Sequence, residues 1–471
     1  MNQRIHVQSR GAGTALALLL AIAGGACSGD DDEAGESSGG PQVLVPDPGN
    51  TPRTPAGSGR NTPGGSGIGG PVTVGEPTRE QYCEGEGPPV GVQLGSTRPG
   101  GTCTTGLASR IFQYGLCSCT DAGFTGSFMI DAFASDEGPY QPGQTGASVG
   151  INEQLFTTGV VEIHGSLIVA GSGLLPITSG LFDIDGNFET NADLALTGAN
   201  ITFGRDLWVN GEVTAIGLAE VAGDVYQSPG HAPPTGMVIG GQLRTQDFTV
   251  AEPCACAEDQ LLDIEAIVAA GTANSHNADV GLTPDGLQSV GANQLDLACG
   301  RFAFPSSHIV GATVLRVDGR TALFIDGDLT ITGSFGVELG SEGELDVFVT
   351  GNLLLTGAGQ VGSLERPAAL RFYVGGAGDI FITGSNQFAA NLYAPRANVT
   401  VTGADDIYGS FFVGSYTATG AQSMHYDAAV LRSGGGDACD DPPPGCMGDA
   451  DCVSPTVCEG GRCIQLIDGP E

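Results

Sequence analysis

The chain has 471 residues, 78 of them glycine, about 17% against a usual ~7%, while aromatic residues make up only 6%. Acidic residues outnumber basic ones 53 to 17, the formal net charge is −36, and every basic residue is arginine. The absence of lysine excludes a P-loop lysine, a Schiff base and a lysine general base, and the charge argues against nucleic acid, whose phosphates need a cationic face.

Residues 1–26 read as a signal peptide. Arg4 and Arg10 give the positive start, and Thr14 to Ala23 give an apolar stretch too short to span a bilayer. Gly24, Gly25 and Ala26 then precede Cys27, a junction that resembles the bacterial lipobox, with Gly24 where leucine is usual. Cys27 is the expected lipidation site, which makes a membrane the first partner and the outer membrane or cell surface of a Gram-negative bacterium the expected location. The linker over 27–82 opens on Asp30, Asp31, Asp32 and Glu33 and continues in Gly, Pro, Ser and Thr, a composition that buries too little apolar surface to order itself.

Twelve further cysteines remain: Cys83, Cys103, Cys117, Cys119, Cys254, Cys256, Cys299, Cys439, Cys446, Cys452, Cys458 and Cys463. An even number in an exported chain points to disulfides of unassigned pairing. Cys117-x-Cys119 with Cys254-x-Cys256 also has the composition of a four-thiolate zinc site, the alternative to bridges there.

A β-solenoid domain is expected over 83–432. Its mark is a six-residue unit: Asp, Asn or Ser, then aliphatic, any, aliphatic, any, Gly. Copies begin at Ser166, Asp193, Asp206, Asp328, Asn352, Asp379 and Asn398. Period-two alternation puts the aliphatic side chains on one strand face, and the flanking Asp or Asn and Gly suit tight corners. The last four copies start 24, 27 and 19 residues apart, an interval fitting one coil of a parallel β-helix. The 13 residues between the copies at 193 and 206 fit less well and leave an antiparallel sandwich as the alternative. Thr197, Thr332, Thr356, Thr383 and Thr402 hold the fifth position and are expected on the outer face, as strand-favouring residues. Residues 227–308 break the pattern and read as an insertion stapled by Cys254, Cys256 and Cys299. Within it Asp259 to Ala270 has helical spacing, with Glu258 and Asp259 at the favourable end of the helix dipole. A Gly/Pro linker (433–445) leads to a cysteine-rich module and tail (446–471), whose spacing resembles Dickkopf-type modules and whose size requires bridges.

Between about 127 and 430 the chain also resembles a β-solenoid domain of unknown function from bacterial surface and pilus-associated proteins, similar to the choice-of-anchor-A adhesin-like repeats. The resemblance rests on Asp131 to Tyr140, Ser148 to Asn152, Leu345 to Asn352, Arg371 to Gly376, Asn391 to Ala397, Ile407 to Phe412 and His425 to Asp427, in that order. It implies a surface or envelope role and carries no catalytic residues.

Other motifs weigh less. Gly357-x-Gly359-x-x-Gly362 meets Pro367 where a dinucleotide-binding helix should run, and Ser148 in Gly146-x-Ser148-x-Gly150 lacks the strand–turn–helix of a nucleophile elbow. Asp183-x-Asp185-Gly186-Asn187 resembles a calcium-loop start but has Phe188 and Leu194 at positions needing Gly and Glu, so no cofactor is expected beyond weak calcium. His425 beside Tyr426 and Asp427 reads as structural, and Asp326, Asp328 and Asp346 read as turn residues before a glycosidase pair. The expected function is therefore non-enzymatic adhesion or envelope structure, with surface polysaccharide or another envelope protein as partner. The alternatives are a polysaccharide lyase or hydrolase, and an ice- or crystal-surface binder.

Overall fold

Aliphatic residues in alternation, closed by glycine corners, form one large sheet. A computed structural model describes residues 78–84, 107–356, 360–384, 387–433, 456–459 and 462–465. The signal peptide, Cys27, Cys103, Cys439, Cys446 and Cys452 lie outside these residues, as does most of the C-terminal module. There only the backbone of an antiparallel pair, Thr456–Glu459 with Arg462–Gln465, is described. The chain is mainly β, and the main sheet has 22 strands.

Two ladders build the first half. In one, Val149, Leu167, Phe188, Leu207, Val225 and Leu243 are successive register partners at intervals of 18, 21, 19, 18 and 18 residues. In the other, Ala122–Phe133, Leu155–Ile163, Leu174–Ile184, Asp193–Phe203 and Val213–Val221 pair in that order. Every strand-to-strand pairing within the main sheet among the described residues is parallel, against the antiparallel alternative, apart from one isolated antiparallel bridge, Ala132 to Gln144. The short 193-to-206 spacing has a simple origin: Asp193–Phe203 lies in the second ladder and Leu207–Val209 in the first, so these are two strands of one rung.

The second half stacks in the same direction as the first, and its last strand meets the first half's beginning. Ser289–Leu339, Glu344–Val349, Leu370–Val374 and Asn391–Tyr408 succeed one another until the last strand, Phe411–Asp427. This last strand pairs on its far side with Leu116–Ser118 and Ala122–Phe133, the first strands of the sheet. The beginning and end of the sheet are thus neighbours in its middle, and the chain must return from one edge to the other.

Residues 246–288 make that return, a narrower strand-free stretch than the 227–308 expected, because Thr235–Ile239 and Leu243–Thr245 continue the ladders and Ser289 already begins a strand. The segment crosses the rungs one after another. Phe248 meets the edge of Trp208, Val250 exchanges two hydrogen bonds with the Asn191 amide, and Cys254 does the same with Asn152. Farther on, Leu262 N donates to Tyr393 Oη (3.0 Å), and His276 and Asn277 bond the backbone of Arg301 and Ala303. The longer of two helices described in this segment is Ile264–Ala273, capped by Asp263, whose side chain accepts from Ala266 N; it starts later than Asp259, since Gln260 N and Leu261 N close a turn on Ala257 O ahead of it.

Disulfides fix the crossing. Cys117–Cys254 and Cys119–Cys256 hold two adjacent outward positions, so the four sulfurs are paired and the zinc alternative is not what the structure holds. Cys83–Cys299 ties the short helix Arg79–Cys83, which begins within the expected linker and carries a capping box of Thr78 and Gln81, to the start of the second half.

At one corner four glycines adopt the left-handed backbone that a side chain disfavours, while Ser179 takes the same column one rung past Gly159. Gly126, Gly159, Gly403 and Gly420 have φ between 108° and 125°, and a Cβ on Gly159 would stand 1.9 Å from the Gly126 carbonyl oxygen. Gly159→Ala should lower stability by about 1–3 kcal/mol or more, read as a fall in the thermal midpoint, whereas Gly180→Ala, whose Cβ meets nothing closer than 3.6 Å, should leave it nearly unchanged.

Candidate functional site

The polar residue opening most repeats accepts the backbone N–H of the next rung through its side chain, whereas Asp379 and Asn398 accept from the side chains of Asn398 and Ser415. Ser148 Oγ accepts from Ser166 N, Ser166 Oγ from Asn187 N, Asn187 Oδ1 from Asp206 N, Asp206 Oδ1 from Asp224 N and Asp224 Oδ1 from Gln242 N, over 2.7–3.2 Å. Ser306, Asp328 and Asn352 form the same relay in the second half. These relays satisfy amides that a corner would otherwise orphan. Ser148 and Asp328 are therefore corner residues, as the sequence implied.

The remaining acidic candidates do not converge. Asp326 lies by the Thr350 hydroxyl (3.5 Å), while Asp346 is buried and gripped by Arg371, with Nε 2.5 Å from Oδ1. Arg371 also binds Glu344 (2.8 Å); burial alone would raise that carboxyl, but the guanidinium outweighs it and holds Glu344 below the usual range. Asp183 accepts from Thr202 and Asp185 pairs with His164 at 2.7 Å, so the calcium-like run is divided between two partners. Among the described residues no cluster of three or more His, Cys, Asp or Glu could hold a metal. Gly362 ends a short strand, and Gly357 and Gly359 lie outside the described residues.

His425 finds a partner that the sequence did not suggest. Its Nδ1 lies 2.7 Å from Oδ1 of Asp131, its register partner 294 residues away, while Tyr140 Oη and Gly143 N donate to Asp131 Oδ2. The Tyr140 and Tyr408 rings close over the imidazole at 4.2 and 4.7 Å. Asp131 is fully buried and His425 nearly so; Asp427, the neighbour the sequence drew attention to, instead accepts from Ser135 N, Ala368 N and Ala429 N. This is a closed, satisfied network. Asp131→Ala should strand three donors and cost about 3–5 kcal/mol, visible as a lowered unfolding midpoint in denaturant.

Glu189 is different. It stands between Ile168 and Trp208 in a column of outward side chains that the crossing segment covers, is 8% exposed, and burial pushes its carboxyl up to about 7. The native state then holds a proton that the unfolded chain has released between about pH 4.5 and 7, so this group's contribution to stability falls as pH rises through that window and is least above it. The effect amounts to at most about 3 kcal/mol. Glu189→Gln should flatten the decline in melting temperature from pH 5 to pH 8 relative to the parent; parallel curves would contradict the assignment.

The surface feature that repetition does build is a strip of threonines. Thr383, Thr402, Thr419, Thr125, Thr158, Thr178 and Thr197 are seven successive register partners. Thr332 and Thr356 pair in the same way, with hydroxyls 3.3 Å apart. Six of the seven are exposed and Thr402 is half-buried. Two residues earlier on the same strands stand Phe381, Thr400, Thr417, Gly123, Phe156, Pro176 and Ala195, so both columns are without charge across seven rungs. Ile216 (73% exposed) extends the threonine column beyond Thr197. The six-residue unit covers only Thr383, Thr402 and Thr197 of these seven. Thr419, Thr125 and Thr158 follow inward pairs that are not two of Leu, Ile or Val (Tyr416 and Ala418, Ala122 and Phe124, Leu155 and Thr157), and Thr178 precedes Ser179 instead of Gly. The signal for three of these four was the Thr–Gly pair closing the strand, as at Thr125-Gly126, Thr158-Gly159 and Thr419-Gly420.

Neither curated proteins nor solved structures give a match to this chain. Residues 257–432, from within the crossing segment to the end of the last 3₁₀ turn, are similar to a family described as Domain of unknown function (DUF7305).

Proposed function

We propose that the parallel rungs wind as a β-solenoid and that the chain is an exported, non-enzymatic lipoprotein displaying it at the cell surface or outer membrane for adhesion or envelope structure. Register partners at intervals of 18–21 residues support the winding, since each interval is one circuit of short strands and corners. The observation that carries the functional reading is the uncharged threonine strip. A chain of net charge −36 that keeps two neighbouring columns free of charge over seven rungs has a surface organised for contact. The resemblance to adhesin-like surface repeats agrees with it.

Polysaccharide cleavage is less well supported. Its residue types do meet at Arg371, Asp346 and Glu344, but Arg371 is 3% exposed and Asp346 is 6% exposed, which leaves no room for a sugar between them.

The address is tested at Cys27. In a Gram-negative host the full chain should sediment with membranes, incorporate labelled palmitate and be cut by protease added to intact cells. Cys27→Ser should lose all three properties. A parent chain found wholly in the soluble fraction would defeat the reading.

A further inference from the structure

We infer that the threonine strip is a docking track for a neutral polysaccharide chain lying across the strands, one contact per rung. This rests on the display reading above and names its partner.

Eight rungs, from Phe381/Thr383 to Thr214/Ile216, at about 4.8 Å per strand make a strip roughly 34 Å long. With two side-chain columns about 7 Å apart it is roughly 12 Å wide, so it offers about 400 Å². Exposed bulky groups gather on it: Phe156 is 53% exposed, Phe381 41% and Ile216 73%.

The borders decide the charge of the partner. Beyond the glycine corner Glu162 and Asp183 are register partners, with Glu220 one rung past Thr202, and on the other side stand Asp121, Asp193 and Glu212. Acid on both flanks repels a polyanion, and the strip itself presents only hydroxyl, phenyl and aliphatic groups, whose chemistry matches an uncharged occupant. A second copy laid face to face would bury only about 800 Å² in total, short of the ~1,200–2,000 Å² of stable interfaces.

The relief of the strip separates a polymer from a flat crystal plane. The threonine column is regular, but beside it Gly123 lies between Thr417 and Phe156, and Phe156 is followed by Pro176 and Ala195. A rigid lattice would rest on the phenylalanines alone. A polysaccharide can follow the steps, stacking the C–H faces of its sugars on Phe156 and Phe381 and exchanging hydrogen bonds with the threonine hydroxyls, which both donate and accept. Repetition favours the same choice, because a polymer meets equivalent groups at every rung.

The test is retention of the purified full chain on insoluble cellulose, chitin and β-1,3-glucan, with alginate as the anionic control. Retention is expected on at least one neutral polymer and not on alginate. Thr158→Glu combined with Thr402→Glu should reduce it at least tenfold, Thr158→Val with Thr402→Val should reduce it several-fold at an unchanged melting temperature, and Glu162→Gln should leave it intact. The inference is overturned if no neutral polymer retains the chain, if neither threonine pair alters retention, if a concentration-dependent dimer disperses in the Thr158→Glu variant, or if the chain reshapes growing ice. Any of these results with Cys27-dependent display intact removes the polysaccharide and leaves the display reading standing.

Discussion

Twelve successive register pairs, Ala122↔Tyr416 to Phe133↔Asp427, bind the first long strand of the sheet to the last. Closing a loop of that length costs about 5 kcal/mol in chain entropy beyond the constant term, and nothing local repays it. The two halves of the sheet each have an apolar edge until this pairing forms, so the seam is where the fold becomes one cooperative structure. Its register is enforced by chemistry. A slip of one residue would turn Asp131 and His425 toward the aliphatic interior and break the network that Tyr140, Gly143 and Tyr408 complete.

Such a topology also forces the return crossing, and the crossing explains a column of side chains that would otherwise face water. Phe324, Phe348, Tyr373, Tyr393 and Phe412 are successive outward register partners, yet all are buried. Gly271 lies against the Phe324 ring and Ile264 against Gly375, so the helix Ile264–Ala273 fits closely over this column. The paired C-x-C bridges fasten the crossing beside the seam, at Cys117 and Cys119 on the first strand and its flank. In an oxidising compartment such a fastening is durable.

These same residues show what the sequence could and could not disclose. Alternation with closing glycine, as in Asp328 to Gly333, marked strands buried on one face, and those strands were recognised as stacking units. Runs such as Val347-Phe348-Val349 and Phe411-Phe412-Val413 carry no alternation because both faces are covered, and a period-two reading passes over them. The crossing path was hidden for a different reason: nothing local in residues 246–262 encodes the rung each will touch, since those contacts are with Asn191, Asn152 and Tyr393, up to 131 positions away. Asp131 and His425 were unreadable as a pair for the same cause, while the aspartates at repeat starts were legible because their role is local to a corner.

The charge distribution follows from the same geometry. Stacking identical rungs multiplies whatever stands at each position, so a carboxylate in an outward column would meet its own kind one strand away, and like charges directly opposite one another destabilise a sheet. Where the column does carry acid, as at Glu162 and Asp183, Thr202 interposes before Glu220 and its hydroxyl donates to Asp183. Threonine avoids the repulsion altogether, and its branched Cβ suits an exposed strand. Strand propensity alone would accept any β-branched residue there. The repeated choice of the hydroxyl-bearing one adds cross-strand contacts, as between Thr332 and Thr356, and keeps the face polar yet uncharged beside phenylalanines left in solvent.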